Sequence, residues 1–158
     1  MQQKHLFFSR RIKNYFAVLF LLCTYAIATA GTYSGGTGTS LDPYQISNKA
    51  DLLELANTSS DWSKAFLQTA NIVFQSSDFA SGGLYYNSGL GFPTIGNLTT
   101  RFTGSYNGNR YDITGLYIND PNLMYCGLFG FTDTATLIRN VGLVNCNITA
   151  RSYVGGLI

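Results

Sequence analysis

The sequence predicts an all-β chain wound as a repetitive β-solenoid, with one short capping helix near its N-terminal end. Three observations carry that reading. A motif recurs, because Tyr125-Cys126-Gly127-Leu128-Phe129-Gly130 matches Tyr153-Val154-Gly155-Gly156-Leu157-Ile158 at an offset of 28. Apolar alternation holds only briefly: Val141 and Leu143 share one face, Cys146 and Ile148 share another, and the slip between them demands a corner in the chain. The composition is 15% aromatic and only 11% charged, whereas disorder needs high charge and few aromatics. Short strands with corners cannot bury an apolar face singly, and stacked units share one continuous core.

The first thirty residues read as an export signal. Lys4, Arg10, Arg11 and Lys13 form a basic start, residues 15–27 are an apolar run, and Ala28 and Ala30 are the small residues at which a signal peptidase cuts. A membrane-spanning helix needs about 20 apolar residues, and this run is shorter, so no transmembrane helix is expected in the mature chain. Cys23 follows Leu22, where a lipoprotein signal requires a small residue. The expected location is secreted or cell-surface. Four of the ten basic residues lie in the signal and all eight acidic ones lie beyond it, which leaves six against eight and a formal charge of −2 for residues 31–158. No basic patch remains to hold nucleic acid. The one histidine, His5, is also in the signal. Its loss removes Ser–His and Cys–His nucleophilic catalysis, His-ligated zinc and imidazole acid–base chemistry together.

Residues 31–39, rich in Gly, Ser and Thr, read as a flexible leader. Asp42-Pro43 marks a turn and residues 44–46 a short strand. Residues 47–57 are the one convincing helix, with Ser47 or Asn48 as cap, Asp51 favourable to the dipole in the first turn, and Leu52, Leu53, Leu55 and Ala56 as its apolar face. That helix is expected to cover the open end of the stack, where unpaired strand edges would otherwise aggregate. Residues 66–74 read as a strand and residues 76–91 as a Ser/Gly/Tyr-rich surface loop, after which residues 92–96 return to the core. Residues 102–106, 111–113 and 116–118 are short strands, punctuated by Asn107-Gly108 and Asn119-Asp120-Pro121. A second internal match sets Gly115-Leu116 against Gly142-Leu143, at an offset of 27. Residues 40–110 are thus expected to be an N-terminal cap and first rungs, and residues 111–158 the repeats.

Gly127-Leu128-Phe129-Gly130 and Tyr153-Val154-Gly155-Gly156-Leu157 resemble the GLUG repeat of bacterial surface and secreted proteins. Gly38-Thr39-Ser40-Leu41-Asp42-Pro43-Tyr44-Gln45-Ile46, Ala70-Asn71-Ile72, Phe92-Pro93-Thr94-Ile95-Gly96 and Phe102-Thr103-Gly104-Ser105-Tyr106-Asn107-Gly108-Asn109 are similar to the lead-in segments of such proteins. The resemblance implies a right-handed parallel β-helix in a filamentous-haemagglutinin-like, adhesin-type or other cell-surface protein. It brings no common catalytic residues and no cofactor. The second copy of the motif stops at Ile158, where a glycine would come next, so the chain is expected to be an N-terminal fragment of a longer array.

The candidate sites are sparse. The acidic residues are scattered; only Asp112 beside Arg110 and Asp133 near Arg139 suggest proximity, and isolated aspartates ordinarily serve turns and caps. Gly35-Gly36-Thr37-Gly38 has no lysine in phosphate-loop register and opens no helix, and as a piece of a calcium-binding nonapeptide it lacks the repeated Asp. No metal site, cofactor or catalytic residue is expected. Trp62, Tyr85, Tyr86, Tyr106 and Tyr111 are candidates for stacking on a glycan. The adjacent Tyr85 and Tyr86 lead, since successive extended residues cannot both point inward. Cys126 and Cys146 either pair as a disulfide in an oxidising compartment or are separate small apolar residues. The expected function is a non-enzymatic secreted or cell-surface repeat protein, for adhesion or as a scaffold, with glycans or host cell-surface proteins as partners. The alternatives are a carbohydrate-binding module, or the lead-in domain of a larger polysaccharide-active enzyme or surface protease.

Overall fold

The computed structural model describes residues 33–158; the export signal, with Ala28 and Ala30, lies outside the described residues. Strands β1 (Tyr44–Ile46), β2 (Ala65–Gln68), β3 (Ile72–Val73), β4 (Ser105–Asn107), β5 (Asp112–Thr114), β6 (Tyr117–Cys126), β7 (Leu137–Arg139), β8 (Gly142–Val144) and β9 (Asn147–Val154) accompany a single α-helix, α1 (Lys49–Asn57), among the described residues. The fold is all-β, built of small parallel sheets. One sheet has the order β1-β2-β4-β7, a second β3-β5-β8, and a third β6-β9. The chain visits them in a fixed order, β4 then β5 then β6, and again β7 then β8 then β9.

Corners separate the sheets, and they lie where the apolar phase slips. Gly115, between β5 and β6, has φ 73°, and Asn145, between β8 and β9, has φ 51°. That left-handed conformation suits glycine and asparagine. The internal match at 27 is corrected accordingly. Ile113 pairs with Leu143 and Thr114 with Val144, an offset of 30, so Gly115 stands against Asn145 and not against Gly142. What recurs is an inward apolar residue followed by a left-handed corner, and asparagine makes that corner as well as glycine does. The match at 28 coincides with the observed register, since Cys126 pairs with Val154 and Leu128 N–H donates to the Gly156 carbonyl at 3.0 Å.

Equivalent side chains stack into columns. Phe66 pairs with Tyr106 and Tyr106 with Ile138; Ile72 pairs with Ile113 and Ile113 with Leu143. Phe66, Tyr106, Ile72 and Ile113 are essentially fully buried. Each such side chain contributes about 1.5–3 kcal/mol relative to leaving it exposed. Phe102 fills the space between columns, with ring centroids 6.1 Å from Phe66 and 5.0 Å from Phe129.

Two further expectations are corrected. Residues 66–74 are not one strand: β2 ends at Gln68 and β3 begins at Ile72 in a different sheet. The buried Gln68 holds the corner between them, its Nε2 donating to the Ala70 carbonyl at 2.9 Å. Residues 33–39 do not trail as a leader. Tyr33 is buried, stacks on Tyr44 at 4.4 Å and donates from Oη to Asp61 Oδ2 at 3.1 Å, while the Gly35 carbonyl accepts from Gln45 N–H at 2.8 Å along the outer edge of β1.

Asn48 is the cap of α1. Its Oδ1 accepts from Ala50 N–H and Asp51 N–H at 2.8 and 3.0 Å. Asp51 is buried, and its Oδ2 accepts from Ser47 N–H at 2.8 Å and Ser34 Oγ at 2.7 Å, which ties the N-terminal run to the helix start. Leu52 and Leu55 are wholly buried. Among the described residues no helix is long and apolar enough to cross a membrane.

Candidate functional site

The tyrosines favoured from sequence do not form a binding face. Residues 76–91 fold back in two 3₁₀ turns, Ser76–Phe79 and Asn87–Gly89. Asp78 pins the first turn, accepting from Gln75 N–H at 2.7 Å and from Lys49 Nζ at 2.8 Å. The Gln75 amide, and then the Lys49 ammonium, hold its carboxyl below the usual range. Tyr85 is only 5% exposed, packed edge-on to Phe74 at 5.3 Å and near Phe92 at 6.3 Å, with Lys49 Nζ 5.8 Å from its ring centre. Tyr85 is therefore a core residue, and Tyr86 is half-buried beside it. One of the adjacent pair does turn inward, but the loop turns inward with it because Phe74, Phe79 and Phe92 offer an aromatic cluster. Trp62 is buried with Nε1 donating to the Leu55 carbonyl at 2.7 Å, and Tyr106 is buried completely; neither is available to a ligand.

Cys126 and Cys146 are both free. Cys126 is opposite Val154, the last residue of β9, whereas Cys146 immediately precedes the first, so the 8 residues of that strand separate their levels. A disulfide needs Cα atoms within about 7 Å, and strands rise about 3.3 Å per residue. Burial, then the nearby Asp120 charge, pushes the Cys126 thiol up to about 11. Asp133 lies 4.0 Å from Arg101, not in an ion pair with Arg139. Among the described residues no three His, Cys, Asp or Glu side chains come together as a metal site.

The face that the structure does assemble centres on Tyr125, which lines two clefts. One, of about 390 Å³, runs between Tyr125, Phe131, Tyr153 and Ile158. The other, of about 500 Å³, is lined by Thr94, Thr99, Asn122, Leu123, Met124 and Tyr125. Its far wall is the loop at residues 97–100, held by Asn97 Oδ1 accepting from Thr99 N–H and Thr100 N–H at 2.9 Å each. Tyr125 has φ 62° and Tyr153 φ 51°. A bulky side chain in this left-handed conformation costs roughly 1–2 kcal/mol. The two rings lie parallel at 4.7 Å with 6° between planes, a contact worth roughly 0.5–1.5 kcal/mol that offsets part of the strain. Phe131 meets Tyr125 edge-on at 5.2 Å and carries the Arg101 guanidinium 5.1 Å from its ring centre. The sequence held a signal for this face: Tyr125 and Tyr153 are the first residues of the two motif copies.

No protein-family model matches the chain, and no solved structure matches it. The chain is 36% identical over 123 residues, 76% of its length, to halomucin of Haloquadratum walsbyi. It is 33% identical over 133 residues, 82% of its length, to a Gly-rich membrane protein of Evansella cellulosilytica. These matches span 1% and 14% of the two relatives, so the chain is similar to a small part of each.

Proposed function

We propose that this chain is a stretch of a non-catalytic, secreted or cell-surface repeat protein that serves as a scaffold or adhesive surface. In this reading residues 1–30 direct export, the three parallel sheets are the walls of a right-handed β-solenoid, and the motifs at residues 125–130 and 153–158 are GLUG repeats, one per turn. The observation that carries it is the recurrence of sheet order and register: β4, β5 and β6 are each paired, parallel, with β7, β8 and β9. A parallel crossover within one sheet is right-handed in about 98% of cases. The similarity to a halomucin and to a Gly-rich membrane protein supports a place at the cell surface.

The test is protease shaving of intact host cells, with peptide mapping of the released material and of the culture medium. Peptides from residues 33–158 released without lysis, and a mature N-terminus at Gly31, are the expected result. Recovery of these peptides only after lysis, with residues 1–30 retained, would overturn the reading.

A further inference from the structure

We propose that the cleft between the loop at residues 97–100 and the segment 122–125 binds a neutral glycan chain, with Tyr125 as the ring on which a sugar packs. The proposal rests on the reading of the chain as a surface scaffold and names a ligand class for it.

The chemistry of the lining selects the class. No Asp, Glu, Lys or Arg lines this cleft, so a charged ligand would lose hydration there and meet no countercharge. Thr94, Thr99 and Asn122 offer hydroxyl and amide groups, which a purely apolar ligand would desolvate without replacing their hydrogen bonds. Tyr125 and Leu123 add apolar surface beside them. Neutral hydrogen-bonding groups next to an aromatic ring suit a polyhydroxylated ring with one apolar face. The volume, about 500 Å³, falls within the roughly 300–1,000 Å³ of ligand sites.

The site is also pre-formed. Asn97 closes its loop with two hydrogen bonds, and Tyr125 is held by Tyr153, stacked on one face of its ring, and by an edge-on contact with Phe131. A two-torsion aromatic side chain already held in place loses little entropy on binding. It belongs to the inner pass of the chain, β6, and not to the outermost strand β9.

The test is affinity gel electrophoresis of the full chain through gels containing dextran, mannan, galactomannan or xyloglucan, with alginate as an acidic comparison. Retardation by at least one neutral polysaccharide and not by alginate is expected. Tyr125→Asn removes the ring while keeping a residue that accepts the left-handed conformation, as Asn140 and Asn145 do (φ 54° and 51°). It should weaken binding about tenfold, the scale for truncating an aromatic anchor. Asn122→Ala, at an exposed position, should weaken it severalfold and serves as the readout if Tyr125→Asn unfolds. Tyr86→Ala should leave binding unchanged. No retardation in any neutral gel, stronger retardation by alginate, or retardation of both the Tyr125→Asn and Asn122→Ala variants equal to that of the parent would each overturn the proposal. Surface exposure in the shaving experiment without retardation removes the cleft alone; retardation without surface exposure removes the scaffold reading alone.

Discussion

Replacing Tyr106 by phenylalanine deletes one oxygen atom from the middle of the core. Tyr106 and Gln68 are both completely buried. The phenol donates to Gln68 Oε1 at 3.1 Å, and Gln68 Nε2 donates onward to the Ala70 carbonyl at 2.9 Å and the Asp112 carbonyl at 3.3 Å. The phenol thus anchors a glutamine that joins β2, the following corner and β5. Without it Gln68 Oε1 is buried and unpaired, which costs about 1–3 kcal/mol. Gln68→Met should cost more, because it orphans the phenol and two carbonyls together. The double variant should be more stable than the sum of the two losses predicts, with a coupling of about 1 kcal/mol. Urea denaturation followed by far-UV circular dichroism measures this directly. With a slope of about 2 kcal/mol/M, a loss of 1.5 kcal/mol lowers the midpoint by about 0.75 M at unchanged slope. A Tyr106→Phe variant within about 0.3 kcal/mol of the parent, or strict additivity in the cycle, would refute the reasoning.

Asp78→Asn should lower stability by about 1 kcal/mol at pH 6, the scale of a partly exposed ion pair. The carboxyl of Asp78 is held below its usual range, so its contribution is present above about pH 4 and lost as pH falls through the depressed folded value; melts at pH 6 and pH 2.5 should show the gap closing. Burial raises the phenols of Tyr33 and Tyr106, so their contribution is complete below about pH 10 and lost as pH rises beyond it, and the denaturation midpoint should fall between pH 10 and 11.5. Iodoacetamide at pH 8 should label exposed Cys146 in the native protein and reach Cys126 only in urea; peptide mapping that found the two joined would contradict the fold. Gly104→Ala should cost about 1–3 kcal/mol, because an added Cβ would collide with the Lys64 carbonyl, and the same urea melts would register it.

A corner between Leu143 and Cys146, a helix cap at Ser47 or Asn48 and the match between the two motif copies could all be read from sequence, because each depends on local conformation or on a short recurring pattern. The register at Ile113 could not be found by matching glycines, since the conformation that recurs there is served by Gly115 once and Asn145 once. The burial of Tyr85 is hidden in the sequence for a related reason. Its neighbours in sequence are Gly83, Leu84, Tyr86 and Asn87, and only the fold reveals that Phe74, Phe79 and Phe92 surround it. Residues 33–39 look featureless apart from Tyr33, yet that ring, the Ser34 hydroxyl and the Gly35 carbonyl together fix the run. The Tyr125 cleft draws its walls from residues 94–100 and 122–125, which are separated in sequence and brought together only by the parallel stacking.

Within the third sheet, Asp120 faces Ala150 and Met124 faces Ser152. Between those levels β6 therefore carries two residues more than β9, and Asn122 and Leu123, both in the cleft wall, fall in that surplus. The ladder closes again beyond it, at Cys126 and Val154. Insertions, deletions and side-chain changes in this segment leave the pairing on either side in place, because the surplus residues are not in the ladder at all. Sequence in this segment is thereby uncoupled from the register that holds the third sheet together.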